Sequence, residues 1–246
     1  MNHGDSRVVL ENDRLIIIDK PAGWLAVPSR LGERDARPCA GRFWQQALAR
    51  RLWPVHRLDV EVSGLLLFTK DAEAHRMLCE AFLQQRIGKT YLACTPPVPS
   101  IALHVTQTWQ TRLLRGKKRA YEHPRGKVAV TQATPLLHTD RFTLWRLAPR
   151  TGRPHQLRVE LFIRGFPIVG DHLYGSAQGW HPGIALRAVQ LDFSLCAATL
   201  GLPTVVRADQ RDDVSMGMAF WTACATSAGH SIQTLCPAEG KSTGAV

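Results

Sequence analysis

Three side chains that could take part in covalent chemistry lie close together in one short segment. His56, Arg57 and Asp59 fall within four residues. A carboxylate such as that of Asp59 can attack an electron-poor carbon and form a covalent intermediate. It must stay ionised when it is partly buried, and desolvation opposes this, so a neighbouring cation is needed. The structural alternative is that Asp59 caps a turn and Arg57 pairs on the surface.

A second segment could supply that cation. Residues 152–158 lie at the start of a predicted helix, and the first turn of a helix favours anions. Arg158 could form a bidentate pair with a carboxylate from another loop. The same pair could equally be a structural staple. Leu157 shares a helix face with Leu161 and first indicates ordinary core packing.

Two further segments contain groups whose default role is structural. Tyr91 begins a predicted strand, where a tyrosine usually packs against its neighbours. Its ring could instead be a surface on which an RNA base stacks. Residues 167–175 place Asp171 and Tyr174 beside glycines, a pattern typical of a turn.

A strongly basic segment occupies residues 111–127, with Glu122 as its one acidic residue. We expect a turn-rich loop here, bounded by strands, whose cations project together from the sheet. This density favours contacts with phosphates over a merely solvated surface. Its basic residues are Arg112, Arg115, Lys117, Lys118, Arg119, Arg125 and Lys127.

The apolar patterning predicts the elements that hold these segments. Strands are predicted at 15–19, 65–68, 91–94, 103–109, 128–134 and 142–147, and helices at 41–52, 74–82 and 153–164. Asp71 is positioned to cap the second helix, and Gly165 ends the third. Strands outnumber helices without strict alternation. We therefore expect an α+β fold around a mixed, mainly antiparallel sheet.

Composition narrows the class of protein. The 246 residues allow one large or two small domains, and an apolar content of 45% excludes wholesale disorder. No apolar stretch is long enough to span a membrane, and the first residues do not resemble a secretory signal. We expect a soluble protein of the cytoplasm.

Charge and cysteine content indicate the partner. The net charge of +11 favours a polyanion, although an unspecialised basic surface is the alternative. The six cysteines form no C-x-x-C motif and no close Cys/His pair. Zinc sites need ligands at tight spacing, so we expect no metal.

Six segments, in this order, resemble signatures of the RluA-like pseudouridine synthases of the ribosomal large subunit. The longest, HRLDVEVSGLLLFTKD at residues 56–71, is similar to that family's catalytic-loop motif. The resemblance extends over about residues 8–206. The other five are KPAGWLAVP (20–28), KTY (89–91), GKVAVTQA (126–133), TGRPHQLRVEL (151–161) and GFPIVGDHLYG (165–175).

The resemblance implies a role for each site residue. Asp59 matches the aspartate that attacks the target uridine as its N-glycosidic bond breaks, at either the sugar or the base. Tyr91 matches the residue that stacks on the base and is implicated in removing the carbon-5 proton. Arg158 matches the partner of the aspartate, and Leu157 a position lining the pocket. Arg57 matches the residue that replaces the flipped nucleotide in the RNA helix.

The resemblance also implies that His56 binds substrate, that no cofactor is consumed, and that the partner is ribosomal or transfer RNA. We expect a monomer with one catalytic domain at 1–206, no RNA-binding module before it, and a partly disordered extension at 207–246. A non-catalytic RNA-binding or ribosome-assembly factor is the alternative. The chain departs from the family pattern at Val62, Pro154, Phe166 and Arg187. Val62 in particular could lose a hydrogen bond that orders the catalytic loop.

Overall fold

The computed structural model describes residues 6–208 and 219–220. This part of the chain contains eleven strands and three α-helices. The strands are β1 (Arg7–Glu11), β2 (Leu15–Lys20), β3 (Trp53–Pro54), β4 (Ser63–Thr69), β5 (Gly88–Thr95), β6 (Gln107–Arg115), β7 (Ala120–Glu122), β8 (Lys127–His138), β9 (Thr143–Pro149), β10 (Leu186–Asp192) and β11 (Val205–Arg207). The helices are α1 (Ala40–Ala47), α2 (Ala72–Leu83) and α3 (Gln156–Ile163).

All eleven strands belong to one sheet. Nine of them follow the order β1-β2-β4-β10-β5-β9-β8-β6-β7, while β3 pairs with β4 and β11 with β10. Within the described residues, β4 and β10 run parallel and the other pairs are antiparallel. The prediction of a mixed, mainly antiparallel sheet in an α+β fold is therefore confirmed.

The parallel pairing of β4 with β10 requires a glycine at position 64 of β4. Gly64 has φ +109°, and a Cβ atom there would lie 2.1 Å from the carbonyl oxygen of Ala188. Only a residue without a side chain allows this approach of β4 to β10. The junction matters because β4 follows the segment that contains Asp59.

Alternating side chains on β2 and β4 divide the core between the two faces of the sheet. Ile16 and Ile18 join one cluster, together with Leu66 and Phe68. The intervening residues of β2 and β4 join a second cluster, which also contains the buried residues of α2: Leu15, Ile17, Leu65, Leu67, Ala74, Leu78 and Ala81. Burial on both faces explains why these strands are continuously apolar.

The helices are shorter than predicted, except for the capped one. Asp71 caps α2 as expected, accepting a hydrogen bond of 2.7 Å from the backbone N–H of Ala74. The first helix ends at Ala47, because Ala49 turns into the left-handed region and residues 53–54 pair with β4. The third begins at Gln156, because His155 is left-handed, with φ 53°.

The basic segment is also more regular than predicted. β6 begins at Gln107 and runs through Arg115, and β7 pairs with it to form a hairpin whose turn is residues 116–119. Trp109, Thr111 and Leu113 alternate inward along β6, which extends the strand into the predicted loop. The prediction of a loop over residues 111–127 is therefore wrong.

The predicted C-terminal extension is only partly described. Arg207 belongs to β11, and the backbone N–H of Ala208 donates to the carbonyl of Val189. The rest of the extension lies outside the described residues, apart from 219–220. The boundary at residue 206 stays a prediction.

Candidate active site

A cleft of about 680 Å³ brings together residues from distant parts of the chain. One wall consists of residues 55–59 and 62, and another of the end of α2 and the start of β5. The third is the turn and first residues of α3, residues 149–158. All six residues that the sequence placed at the reacting nucleotide line this cleft: His56, Arg57, Asp59, Tyr91, Leu157 and Arg158.

Arg158 joins three carboxylates at the base of the cleft. Its Nη1 donates to Asp59 Oδ2 at 3.2 Å and to Glu61 Oε2, also at 3.2 Å. Its Nε and Nη2 donate to the two oxygens of Asp171, at 2.6 and 2.8 Å. The Arg158 side chain is only 2% exposed. Burial opposes its charge, but Asp171 and the two nearby acids outweigh burial and raise the pKa of Arg158.

The expected pair of Asp59 and Arg158 is therefore present, but it is not the main contact of Arg158. Asp171 is 1% exposed, whereas Asp59 is 34% exposed and so faces the solvent in the cleft. The bidentate contact with Asp171 fixes the guanidinium plane, and Nη1 of Arg158 then donates to both Asp59 and Glu61. The turn predicted for residues 167–175 gave no indication that Asp171 would pair with Arg158. Glu61 could have been noticed as the acid two residues after Asp59.

Backbone contacts hold the segment that carries Asp59. The backbone N–H of Val62 donates to the carbonyl of Asp59 at 3.1 Å, and the side chain of Val62 is buried. The next carbonyl, that of Val60, accepts from Gly23 N and from Lys20 Nζ, at 2.8 and 3.3 Å. These contacts order the turn although the side chain of Val62 cannot form a hydrogen bond.

Lys20 is a second buried cation at this site. Its ammonium donates to the carbonyls of Pro21 and Trp24, each at 2.8 Å, besides that of Val60. Burial lowers the pKa of Lys20 to about 7, although the charges of Glu61 and Asp59 oppose this shift. Lys20 thus links β2 to the segment containing Asp59.

His155 approaches Asp59 from the α3 side. Its Nδ1 lies 3.0 Å from the hydroxyl oxygen of Tyr174, and its Nε2 lies 3.9 Å from Asp59 Oδ2. The same hydroxyl also donates to the carbonyl of Ala120 at 3.0 Å, so Tyr174 links His155 to β7. Burial is the main cause of a lowered pKa for His155.

Tyr91 lies on β5 within the electric field of Asp59. Burial raises the pKa of the Tyr91 phenol, and the negative charge of Asp59 raises it further. The phenol is therefore neutral at neutral pH. Its ring forms part of the cleft wall, as a stacking role requires.

The other predicted residues of the cleft differ in their surroundings. The Nε2 of His56 accepts a hydrogen bond of 3.2 Å from the backbone N–H of Leu67, and burial lowers the pKa of His56 to about 3. His56 is therefore neutral and holds β4. Arg57 is exposed, and Leu157 is buried in the wall.

The basic hairpin does not present its cations as one group. Arg115 lines the cleft, whereas Arg112 lies on the opposite face of β6 from Leu113 and donates to the carbonyl of Gly126. Arg119 donates to the carbonyl of Leu173 and lies over the rings of Phe162 and Tyr174. Lys117 and Lys118 are exposed at the turn. The expectation that all these cations project together is wrong, because strand alternation separates them.

Among the described residues, no three His, Cys, Asp or Glu side chains are grouped so that they could hold a metal ion. The same residues contain no helix long and apolar enough to cross a membrane.

Comparison with known proteins decides the family. A sequence model described as RNA pseudouridylate synthase matches residues 14–161, more than half of the chain. The chain belongs to this family. It is therefore an isomerase that acts on RNA, and the predicted family and activity are confirmed.

Individual pseudouridine synthases are similar over most of their length. The dual-specificity RNA pseudouridine synthase RluA of Vibrio vulnificus (strain CMCP6) is 32% identical over 200 residues, which cover 76% of this chain and 77% of that protein. The tRNA pseudouridine synthase C of Haemophilus ducreyi (strain 35000HP) is 30% identical over 179 residues, covering 68% and 73%.

The fold agrees with that of solved pseudouridine synthase domains. The human RNA pseudouridylate synthase domain containing 4 superposes with a TM-score of 0.65, over 87% of this chain and 92% of that one. Its sequence is 22% identical. At that identity the match shows the shared fold.

Two further departures from the family pattern, at Phe166 and Arg187, have structural partners. Phe166 stacks on Trp145, with ring centroids 5.2 Å apart and planes at 7°. Arg187 donates to Asp19 Oδ2 at 2.6 Å. Neither residue contacts Asp59 directly, so both changes are accommodated by packing and pairing away from the carboxylate.

Proposed function

We propose that this pseudouridine synthase isomerises uridines in ribosomal or transfer RNA, with Asp59 as the reacting carboxylate. The geometry of Asp59 is the observation that carries the proposal. Among the three carboxylates around Arg158, Asp171 is buried, whereas Asp59 is 34% exposed and lines the cleft together with Tyr91. Glu61 is also exposed, but it does not belong to the cleft lining. The names of two similar proteins support these two RNA classes as substrates: the ribosomal large subunit pseudouridine synthase D of Borreliella burgdorferi and the tRNA pseudouridine synthase C.

The reaction rearranges one nucleotide without net gain or loss of atoms. The bond from the ribose to N1 of uracil breaks with the help of Asp59, and the freed base rotates within the cleft. A carbon–carbon bond then forms to carbon 5, which loses its proton while N1 ends with one. This isomerisation needs no oxidant, reductant or second substrate.

Arg158 is the positioning residue for this step. A carboxylate in a partly desolvated cleft stays ionised more readily beside a cation. Because Asp171 occupies the Nε–Nη2 edge of the guanidinium, Arg158 contacts Asp59 through Nη1. The carboxylate is thus held ready without being fully shielded from the substrate.

Tyr91 is proposed to hold the base by stacking. Its ring would lie against the uracil plane, a contact worth about 1–3 kcal/mol per base. The resemblance also implicates Tyr91 in removing the carbon-5 proton. That role requires the phenolate, which burial and the charge of Asp59 disfavour. The phenol in its neutral form can donate a hydrogen bond to the base.

RNA binding is proposed to involve Arg57 at the cleft mouth and the basic hairpin beside it. The target must leave the base stack before the reacting atoms can be reached, and an exposed arginine at the mouth can fill the gap. Lys117 and Lys118 at the hairpin turn would contact phosphates, with Arg115 closer to the cleft. The predictions of a monomer and of a cytoplasmic location stay predictions.

The test is to map pseudouridines in cellular RNA with and without this protein. We expect at least one position to lose pseudouridine when the gene is removed and to regain it with the wild-type chain but not with Asp59→Asn. Purified protein should then modify an RNA fragment containing that position. If Asp59→Asn restores the modification as well as wild type does, the non-catalytic RNA-binding or assembly role is favoured instead.

A further inference from the structure

Lys89 is a cation of the cleft that the reaction described above does not use. It lies two residues before Tyr91 on β5, and both residues line the cleft. Alternate residues of a strand lie on the same face, about 6.6 Å apart. The Lys89 side chain is therefore one strand repeat away from the ring proposed to hold the base.

The ammonium of Lys89 has no ionic partner among the described residues. Its Nζ lies 5.7 Å from the ring centroid of Phe82, and no carboxylate of the described chain pairs with it. Gly152 lies opposite, where a Cβ atom would be 3.7 Å from Nζ. Burial lowers the pKa of Lys89. A half-buried charge without a partner is costly, so an anion from outside would improve its surroundings.

The acids near the cleft already have another cation as partner. Asp59 and Glu61 both accept hydrogen bonds from Arg158. The two arginines beside Gly152 already have hydrogen-bond partners within the protein. Arg150 donates to Gln132, and Arg153 donates to the carbonyl of Val128. Lys89 is thus a half-buried cation left free for a bound anion.

We infer that Lys89 binds a phosphodiester group next to the target uridine, an inference that rests on the proposed function. A nucleotide whose base stacks on Tyr91 has its own phosphates within reach of the neighbouring strand position. The alternative anion that Lys89 could bind during the reaction is the uracil released from the ribose. Lys89 Nζ lies beside the Phe82 ring and Gly152, whereas Asp59 bonds to Arg158, so Lys89 is not among the groups that contact the reacting carboxylate.

Lys89 is consequently a specificity-determining contact rather than a structural one. The fold already holds the ammonium partly desolvated, so little further desolvation is needed when the phosphate binds. A charge-assisted hydrogen bond of this kind changes affinity by roughly 10- to 100-fold. Its contribution would select for RNA in which the target nucleotide has left the helix.

The decisive experiment compares Lys89→Met with wild type on RNA in which one phosphate is neutral. Equilibrium binding is measured in the Asp59→Asn background, with a methylphosphonate placed on the 5′ or the 3′ side of the target. We expect Lys89→Met to lose roughly 10- to 100-fold in affinity on normal RNA. At one of the two positions the neutral linkage should cost wild type a similar factor and cost Lys89→Met almost nothing further.

Three controls distinguish this contact from a structural role and from a general loss of positive charge. Arg76→Met removes an exposed cation of α2 outside the cleft lining and should leave the methylphosphonate effect intact. The melting temperature of Lys89→Met should equal or exceed that of wild type, because an unpaired charge is removed. The salt slope of binding should fall by about 0.7–0.9, as expected for one lost phosphate contact.

Other outcomes would overturn the inference. Unchanged affinity with a slower single-turnover rate would assign Lys89 to the released uracil, and a lowered melting temperature would make it structural. Full additivity of Lys89→Met with both neutral linkages would exclude a phosphate contact. If wild type itself shows no turnover, the proposed function fails, while the binding comparison still decides the role of Lys89.

Discussion

Asp171 and Arg158 form a buried bidentate pair, with hydrogen bonds of 2.6 and 2.8 Å. The pair is only 13 residues apart in sequence, whereas Asp59 is 99 residues from Arg158. The segment that contains Asp59 therefore meets an arginine that is already oriented by its own half of the chain. Arg158 bonds both to a buried acid of the fold and to an acid of the cleft, so its contacts fit each of the two alternatives that the sequence left open.

The Asp171 contact predicts an unequal response of the carboxylates to substitution. Asp171→Asn leaves part of a buried guanidinium unpaired, and breaking such a pair typically costs about 3–5 kcal/mol. Glu61→Gln is the matched control: Glu61 also contacts Arg158 but is 44% exposed, so we expect less than about 1 kcal/mol. Urea unfolding of both variants checks this. Equal losses would contradict the leading role of Asp171.

Asp59→Asn tests the reacting group. The amide keeps the size of the side chain and removes its charge, so we expect no detectable product. RNA affinity should stay within a few-fold of wild type, because phosphate contacts dominate binding. Single-turnover assays with equilibrium binding measure the two effects separately. The assignment is falsified if Asp59→Asn retains appreciable turnover.

Tyr91→Phe separates the ring of Tyr91 from its hydroxyl. The ring is kept, so RNA binding and folding should match wild type. If the hydroxyl donates to the base or removes the carbon-5 proton, the single-turnover rate should fall by roughly 10²-fold or more. Tyr91→Ala is the comparison variant and should also weaken binding, by about 1–3 kcal/mol for the lost stack. A wild-type rate for Tyr91→Phe would restrict Tyr91 to stacking.

Lys20 predicts a pH dependence of folding stability. Its pKa is about 7 in the folded protein and near the ordinary value of 10.5 in the unfolded chain. Between these values the unfolded chain binds more protons, so this group makes stability increase as pH rises from about 7 to 10.5. The slope is at most about 1.4 kcal/mol per pH unit. Lys20→Met should lack this slope when urea unfolding is compared across the range, and an unchanged slope would contradict the assignment.

The basic hairpin should divide into two kinds of cation. Replacing Lys117 and Lys118 by Gln should weaken RNA binding and lower its salt slope by about 0.7–0.9 per lost contact, without changing the melting temperature. Arg119→Gln should lower the melting temperature, because Arg119 packs over Phe162 and Tyr174. Replacing Lys117, Lys118 and Arg119 together by Gln should leave the saturating single-turnover rate nearly unchanged, because these residues position the RNA and do not touch the reacting base. A wild-type salt slope in the Lys117/Lys118 variant would make the turn a merely solvated surface.

Local patterns determined the features whose causes lie within a few residues. The continuous apolar runs at 15–19 and 65–68 predicted the buried strands, and Asp71 predicted the cap of α2. These features depend on side-chain periodicity and on hydrogen bonds to neighbouring backbone groups. The motif around Asp59 likewise indicated the family without a structure.

Tertiary structure decided whatever depends on contacts between distant segments. Arg158 could be expected to meet a carboxylate, but the choice among Asp59, Glu61 and Asp171 depends on how two loops approach one helix. The lack of an ionic partner for Lys89 within the described chain also became visible only in the tertiary structure, because sequence spacing does not show which acids lie near its ammonium. Periodicity records which face of an element is buried, whereas partners across the sheet are set by topology and register.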